Sequence, residues 1–194
     1  MNGKKLKTPE KIVNATINCI ERYGFNALTV RMIADAAEVN IAAVNYHFHS
    51  KENLVEQVKN ISFNHMIEDL KEINMTPGKS AREIMREMCK YILEGASKFP
   101  EITRMHFYEA FIHGNFDTNS GRTLNKLLFD IAENISKNNE IEREILNISL
   151  HRLFSTLFFN SIFQGVFNEF TGYSLKDEDA REAFLDNMVN TLPF

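Results

Sequence analysis

No part of this chain alternates polar and apolar residues over the length of a strand, and helix breakers are scarce. Its 194 residues include only four prolines and eight glycines. Apolar side chains recur every three or four positions, in runs long enough for several helical turns. A period near 3.6 with few interruptions specifies an all-α protein. At 44% hydrophobic and 25% charged residues, the chain carries enough apolar surface to bury a core.

Capping residues punctuate that pattern. Thr8 followed by Pro9 reads as a cap with proline at the first helical position, and Gly24 ends the helix in a conformation that glycine tolerates. Along it, Ile12, Ala15, Thr16, Cys19, Ile20 and Tyr23 recur at helical spacing. Thr29 caps a short second helix with Ile33 and either Ala36 or Ala37 facing inward. Asn40 caps a third, ending near His47 or Phe48, and Ser50 a fourth, from Lys51 to about Asn74. Pro77-Gly78 breaks the chain, and Ser80 with Glu83 forms a capping box for a fifth helix, to about Lys98. Pro100 opens a sixth, to about His113. Gly114 to Gly121 reads as a loop, followed by a seventh helix to about Lys137 and an eighth from about Asn139 to Phe170. Gly172 stops the eighth, and a ninth starts near Ser174–Asp177.

The charge is uneven. Residues 1–51 hold seven Lys/Arg against four Asp/Glu, a balance of +3; the remainder holds 15 against 22, a balance of −7. A basic head on an acidic body suggests that the head meets a polyanion.

The second and third helices are short and only Glu38 to Asn40 separates them, which is helix-turn-helix spacing. Ile33, Val39, Val44 and Phe48 form the small core that fixes their angle. Ala42 and Ala43 keep the third helix slim. Asn45, Tyr46 and His47 are then left facing outward. Asn pairs with adenine edges, while Tyr and His donate to phosphate oxygens; the alternative for His47 is a half-buried brace against the first helix. Thr29, Asn40 and Lys51 stand at helix starts, where free N–H groups attract phosphate. Arg31, one turn into the second helix, is placed to reach the backbone or a neighbouring base.

The segment GFNALTVRMIADAAEVNIAAVNYHFHSKENL, Gly24 to Leu54, resembles the DNA-binding domain of the TetR family of bacterial transcriptional regulators. The shared features are Gly-Phe after the first helix, a capping Thr before an Ile-Ala helix, and the Tyr-His-Phe-x-Ser-Lys-Glu-x-Leu ending. The likeness covers roughly residues 8–55. It implies an all-α protein of about nine helices, with an N-terminal three-helix DNA-binding domain, a larger ligand-binding domain and a homodimer formed through the last two helices. Domains are expected at 1–52 and 53–194. This chain departs from the family pattern at Glu38 and His49, where glycine is common, and at Asn45, where tyrosine is.

Twelve of the 16 phenylalanines lie between Phe99 and Phe184, and LFSTLFFNSIFQGVFNEF, Leu153 to Phe170, is apolar nearly all round. Such a helix needs cover on more than one side: its own domain on one, and on the other either more of that core or a second subunit. Ser161 and Gly165, four apart, would admit a partner helix closely. A dimer surface is therefore expected at Leu157, Ser161, Gly165, Phe184 and Met188. Candidates to line a small-molecule site are Met105, His106, Tyr108, Phe111, Phe154 and Phe158, whose aromatic faces suit an apolar or aromatic effector. Aromatic residues at helical spacing also serve as plain core.

Other classes find little support. No Gly-rich phosphate loop, HExxH or GxSxG motif occurs, so no enzyme is expected. No metal or cofactor is expected either: the histidines lack a third ligand at useful spacing, and Cys19 and Cys89 read as small hydrophobes. No apolar run has the length for a membrane span or signal peptide, so a cytoplasmic location is expected. The expectation is a homodimeric regulator of double-stranded DNA, a repressor released from a palindromic operator by a small molecule. The alternative is a helical small-molecule-binding or scaffolding protein that no longer binds DNA.

Overall fold

A computed structural model describes residues 7–115, 117–138, 141–163, 165–166, 168–172 and 174–194, excepting the side chains of residues 109, 110 and 138. The described residues form ten α-helices and one turn of 3-10 helix, with no strand among them. The helices are α1 (Thr8–Tyr23), α2 (Val30–Ala37), α3 (Ile41–Phe48), α4 (Lys51–Asn74), α5 (Ala81–Lys98), α6 (Pro100–His113), α7 (Asn119–Asn138), α8 (Arg143–Ile162), α9 (Asn168–Thr171) and α10 (Glu178–Asn190).

The sequence signals and the helix ends mostly coincide. Thr29 Oγ1 accepts from the Met32 N–H at 3.2 Å, Asn40 Oδ1 from Ala43 at 2.7 Å and Ser50 Oγ from Asn53 at 3.1 Å. The Ser80–Glu83 capping box is present in both directions. Each such cap contributes on the order of 1 kcal/mol. Three boundaries differ. Thr8 is already helical and Lys7 is the cap, its N–H donating to Glu10 at 2.9 Å. The loop expected to run to Gly121 ends earlier, at Asn119, because Thr118 Oγ1 accepts from the Gly121 N–H at 3.0 Å. The long eighth helix is two elements: α8 stops at Ile162, Gly165 follows at φ +90°, and α9 is a single turn. Residues 139, 140, 164 and 167 of that expected helix lie outside the described residues.

Two compact units emerge. One takes the chain up to Asn64 together with Glu101–Tyr108; the other comprises His65–Pro100 and Glu109–Phe194. In the first, Ile12, Ile20 and Ile33 are wholly buried with Leu54 and Val58, and Val44 and Phe48 close the core from α3. Burying each such side chain contributes roughly 1.5–3 kcal/mol. Ile102 and Met105, from the start of α6, belong to this same core. Val39 packs against it half-buried, and Ala37 rather than Ala36 is the inward residue of α2.

In the second unit α5 packs against α8 and α10, and α7 against α8. Met85, Met88, Leu127, Ile131, Leu146, Leu157 and Leu185 are fully buried there. Polar ties bind α5 to α10: Arg86 pairs with Glu182 at 2.6 Å and Asp186 at 2.8 Å, and Lys90 with Glu182 at 2.7 Å. Arg82 donates to the carbonyls of Val189 at 2.7 Å and Phe194, the last turn and tail beyond α10. Both cysteines are buried and free, and burial pushes the Cys89 thiol up to about 12. No helix among the described residues is long and apolar enough to cross a membrane.

Candidate nucleic-acid interface

The first unit holds α3 on a tightly specified platform. The turn from α2 passes through Glu38 at φ 55°, ψ 44°, a left-handed conformation unusual for a residue with a Cβ. Its N–H donates to Asp35 at 3.2 Å and that of Val39 to Ala34 at 3.0 Å, which satisfies the last carbonyls of α2. Asn40 then caps α3. At the far end the His49 N–H donates to Asn45 at 2.9 Å, and Asn53 Nδ2 donates to the Phe48 carbonyl at 2.8 Å, tying α3 to the first turn of α4.

Val44 and Phe48 point into the core, so the opposite side of this two-turn helix is presented outward. Asn40, Ala42, Asn45 and Tyr46 are exposed, with Tyr46 at 79%. Ala43 is half-buried. His47 is half-buried too, with its ring edge-on to Tyr46 at 5.0 Å and Phe48 at 6.3 Å. Thr29 and Arg31 are exposed, and Arg31 enters no ion pair among the described residues. Lys51 is half-buried, its Nζ 3.9 Å from Glu52. The nine residues singled out in the sequence lie on α3 and on the starts of α2 and α4. Sequence reasoning missed Ile41, an apolar residue at the first position of α3 that stands 39% exposed. Periodicity hid it: Ile41 lies three residues before Val44 and seven before Phe48, on the stripe that reads as core, and it is exposed because it stands at the open first position of the helix.

A short helix carried by two others, capped at its start and slim on its outer side, is a helix-turn-helix module. Residues 12–58 match the sequence profile of bacterial regulatory proteins of the tetR family. The chain is similar to the HTH-type transcriptional regulator BetI of Vibrio campbellii, at 26% identity over 112 residues, 58% of this chain and 45% of that one. It is also similar to the probable HTH-type transcriptional regulator YttP of Bacillus subtilis, at 35% identity over 54 residues, 28% of this chain and 26% of that one. The chain thus spans less than half the length of these curated relatives. Among solved structures, a TetR transcriptional regulator from Legionella pneumophila superposes with a TM-score of 0.71 at 21% identity, covering 99% of this chain and all of that one. The fatty acid degradation regulator FadR from Bacillus halodurans gives 0.66 at 14%, covering 98% and 96%. At these identities the structures establish the common fold.

The other sequence-selected residues are dispersed. Of the six chosen for a small-molecule site, Met105, His106 and Tyr108 belong to the first unit and Phe111, Phe154 and Phe158 to the second. Met105 is core, Tyr108 packs edge-on against Phe25 at 4.9 Å, Phe154 is buried, Phe158 is half-buried and Phe111 is exposed. Helical spacing selected them, and it does not separate core aromatics from cavity aromatics. Of the five chosen for a dimer surface, Leu157, Ser161 and Met188 are buried inside the second unit and Phe184 is half-buried. Gly165 lies past the end of α8, so it and Ser161 do not form a close-approach pair on one helix. The exposed apolar residues of α8 are Ile145, Ile148 and Phe159.

Proposed function

We propose that this chain is a homodimeric DNA-binding transcriptional regulator, a repressor that a small-molecule effector releases from a palindromic operator. The observation that carries the reading is the exposed side of α3, with Asn45 and Tyr46 outward on a capped and tightly packed support. Asn45 serves as the reader of base edges, Tyr46 and His47 as donors to phosphate. Ala42 and Ala43 permit close approach of the helix, and Asn40 orders its start. Ile41 is placed to meet a thymine methyl group. Arg31, Thr29 and Lys51 hold the backbone, the last two at helix N-termini where the dipole favours an anion.

Two copies joined through the outer sides of α8 and α10 would set two α3 helices about one DNA turn apart, roughly 34 Å. An effector that binds more tightly at another spacing shifts the pair away from DNA, a coupling of about 1–3 kcal/mol.

Binding to the DNA upstream of the chain's own gene, followed by fluorescence anisotropy between 50 and 200 mM salt, tests this. The expected result is a steep loss of affinity with salt, since each neutralised phosphate releases counterion. Tyr46→Ala should weaken binding about tenfold at fixed salt with the fold intact. Affinity unchanged in that variant rejects α3 as the reading surface, and no binding at 50 mM salt rejects the regulator.

A further inference from the structure

The second unit holds a partly open cavity where the last turns of α5 and α8 meet the stretch leading into α10. Its volume is about 130 Å³. Leu93, Ala96 and Leu175 supply its apolar wall. Ser97, Asn160, Asn168, Ser174 and Lys176 supply the polar one. Cavities of this size that stay dry are lined by apolar groups; one lined by hydroxyls, amides and an ammonium takes water or a polar ligand. An apolar cavity of about 150 Å³ admits benzene, so this one has room for a molecule of roughly six heavy atoms.

The charged side chain that lines the wall is a cation. Lys176 lines the cavity and, among the described residues, no carboxylate does. Behind the wall stands Arg181, its side chain only 12% exposed. Arg181 Nη1 donates to the carbonyl of Leu175, a wall residue, at 3.3 Å. Its nearest acid is Glu94 at 3.9 Å, and Glu94 also faces Lys90 at 3.8 Å; Arg181 Nε is buried with no partner among the described residues. Asp177, next to Lys176, is committed to capping α10, with Oδ1 accepting from Ala180 at 2.9 Å. Lys90 has its shorter pair with Glu182 at 2.7 Å, so Arg181 holds Glu94 only at long range, and Lys176, on the wall itself, is the cation an incoming anion would meet. The neutral groups add a second requirement. Asn160 commits one Nδ2 hydrogen to the Thr156 carbonyl at 2.9 Å, which leaves its side chain a second N–H and the acceptor Oδ1, the latter able to receive a ligand hydroxyl. The matching ligand carries a donor as well as a charge.

We propose that this cavity binds a compact carboxylate bearing a hydroxyl or other hydrogen-bond donor. The site departs from the aromatic effector expected in the sequence, whose six residues line none of it. It rests on the regulator reading only for its consequence: a ligand there bridges α5, α8 and the approach to α10, the last two being the helices on which the dimer is placed. Occupancy then alters the spacing of the two α3 helices.

The test uses the full chain with lactate, 3-hydroxybutyrate and glycerate as probes, and 1,2-propanediol and butyramide as uncharged controls. Differential scanning fluorimetry and calorimetric titration read binding; anisotropy on the upstream DNA reads the consequence. At least one hydroxycarboxylate is expected to raise the melting temperature by about 2 °C or more at millimolar concentration and to change DNA affinity about fivefold or more, with the controls inert. Lys176→Met, an exposed position, should abolish the shift while leaving the apo melting temperature in place. Ala96→Leu, which fills the wall from α5, should do the same. No shift with any carboxylate, or a shift that survives Lys176→Met, overturns the proposal. DNA binding without any carboxylate shift leaves the regulator reading standing and this one fallen; carboxylate binding without DNA binding does the reverse.

Discussion

Glu21, near the end of α1, accepts from the backbone N–H of Ile102 at 2.8 Å and from that of Glu101 at 3.3 Å, and so caps the start of α6 from 80 residues away in the chain. Helix starts carry four N–H groups without partners, and a carboxylate there also meets the positive end of the dipole. The bond fixes the first turn of α6 on the first unit, where Ile102 and Met105 join the core. Glu21→Ala is expected to cost about 1–2 kcal/mol in urea denaturation. Glu21→Gln, whose amide oxygen still accepts, should retain most of that stability.

The same residue has a pH signature. Burial holds the Glu21 carboxyl above its ordinary value of 4.5, more than the Ile102 N–H and Arg104 lower it. A raised folded value means that the folded state favours the protonated form. The contribution is therefore full below pH 4.5 and is lost as pH rises through the folded value. Glu21→Gln should flatten that limb of the stability curve, and an unchanged limb would reassign it to another group.

Glu38 and His49 are the two non-glycine residues with positive φ among the described residues, at 55° and 65°. His49, at ψ −47°, lies near the strained γ-turn region, while Glu38 sits in the ordinary left-handed well. Strain there costs on the order of 1–2 kcal/mol, from which the extra freedom of glycine in the unfolded chain subtracts about 0.5–1. Glu38→Gly and His49→Gly should each raise stability by up to about 1 kcal/mol, His49 the more, with DNA affinity preserved. A loss of stability in both would show that the side chains contribute contacts outweighing the strain.

These two positions also mark how far the sequence could be read. The likeness to the family placed glycine at both, and the backbone takes up glycine-like angles at both, because turn geometry is set by local caps and spacing. Thr29, Asn40 and Ser50 were equally legible, since a cap is a contact over three residues. What lay beyond the sequence was long-range: that Glu21 caps α6, that Leu157 and Met188 are core, and that Gly165 ends a helix and does not sit within one. Helical periodicity reports that a face is covered, and stays silent on what covers it. The polar cavity was invisible for the same reason, because Ser97, Asn160 and Lys176 are far apart in the chain and ordinary where they stand.

The ion pairs between α5 and α10 give a prediction of opposite sign to that of Glu21. Hydrogen bonds from Lys90 and then Arg86 hold the Glu182 carboxyl below its ordinary value of 4.5. Its contribution is thus present above pH 4.5 and lost as pH falls through the folded value. Glu182→Gln should lower the melting temperature modestly at low salt, and the difference from the parent should shrink in 1 M salt as the pairs are screened. A difference that persists undiminished in salt would mean that α10 is held by packing alone.

His106 supplies the acid limit at higher pH. It lies on α6 with Nε2 3.0 Å from Ser62 Oγ and its ring 5.7 Å from that of Phe63, and its Nδ1 is buried with no partner among the described residues. Burial, with Lys59 adding repulsion, lowers its pKa to about 4 from an ordinary 6.5. The folded chain therefore keeps this ring neutral where the unfolded chain protonates it. Stability is full above pH 6.5 and falls as pH drops toward 4, by about 3 kcal/mol in all at one pKa unit per 1.36 kcal/mol. The window opens above that of any carboxylate, so the two are separable. His106→Leu removes the titrating ring and leaves Ser62 with the Lys59 carbonyl it already reaches at 3.1 Å. That variant should match the parent at pH 7 within about 1 kcal/mol and exceed it at pH 5 in urea denaturation. If both lose stability equally between pH 7 and pH 5, the acid limb comes from elsewhere and His106 is charged when folded.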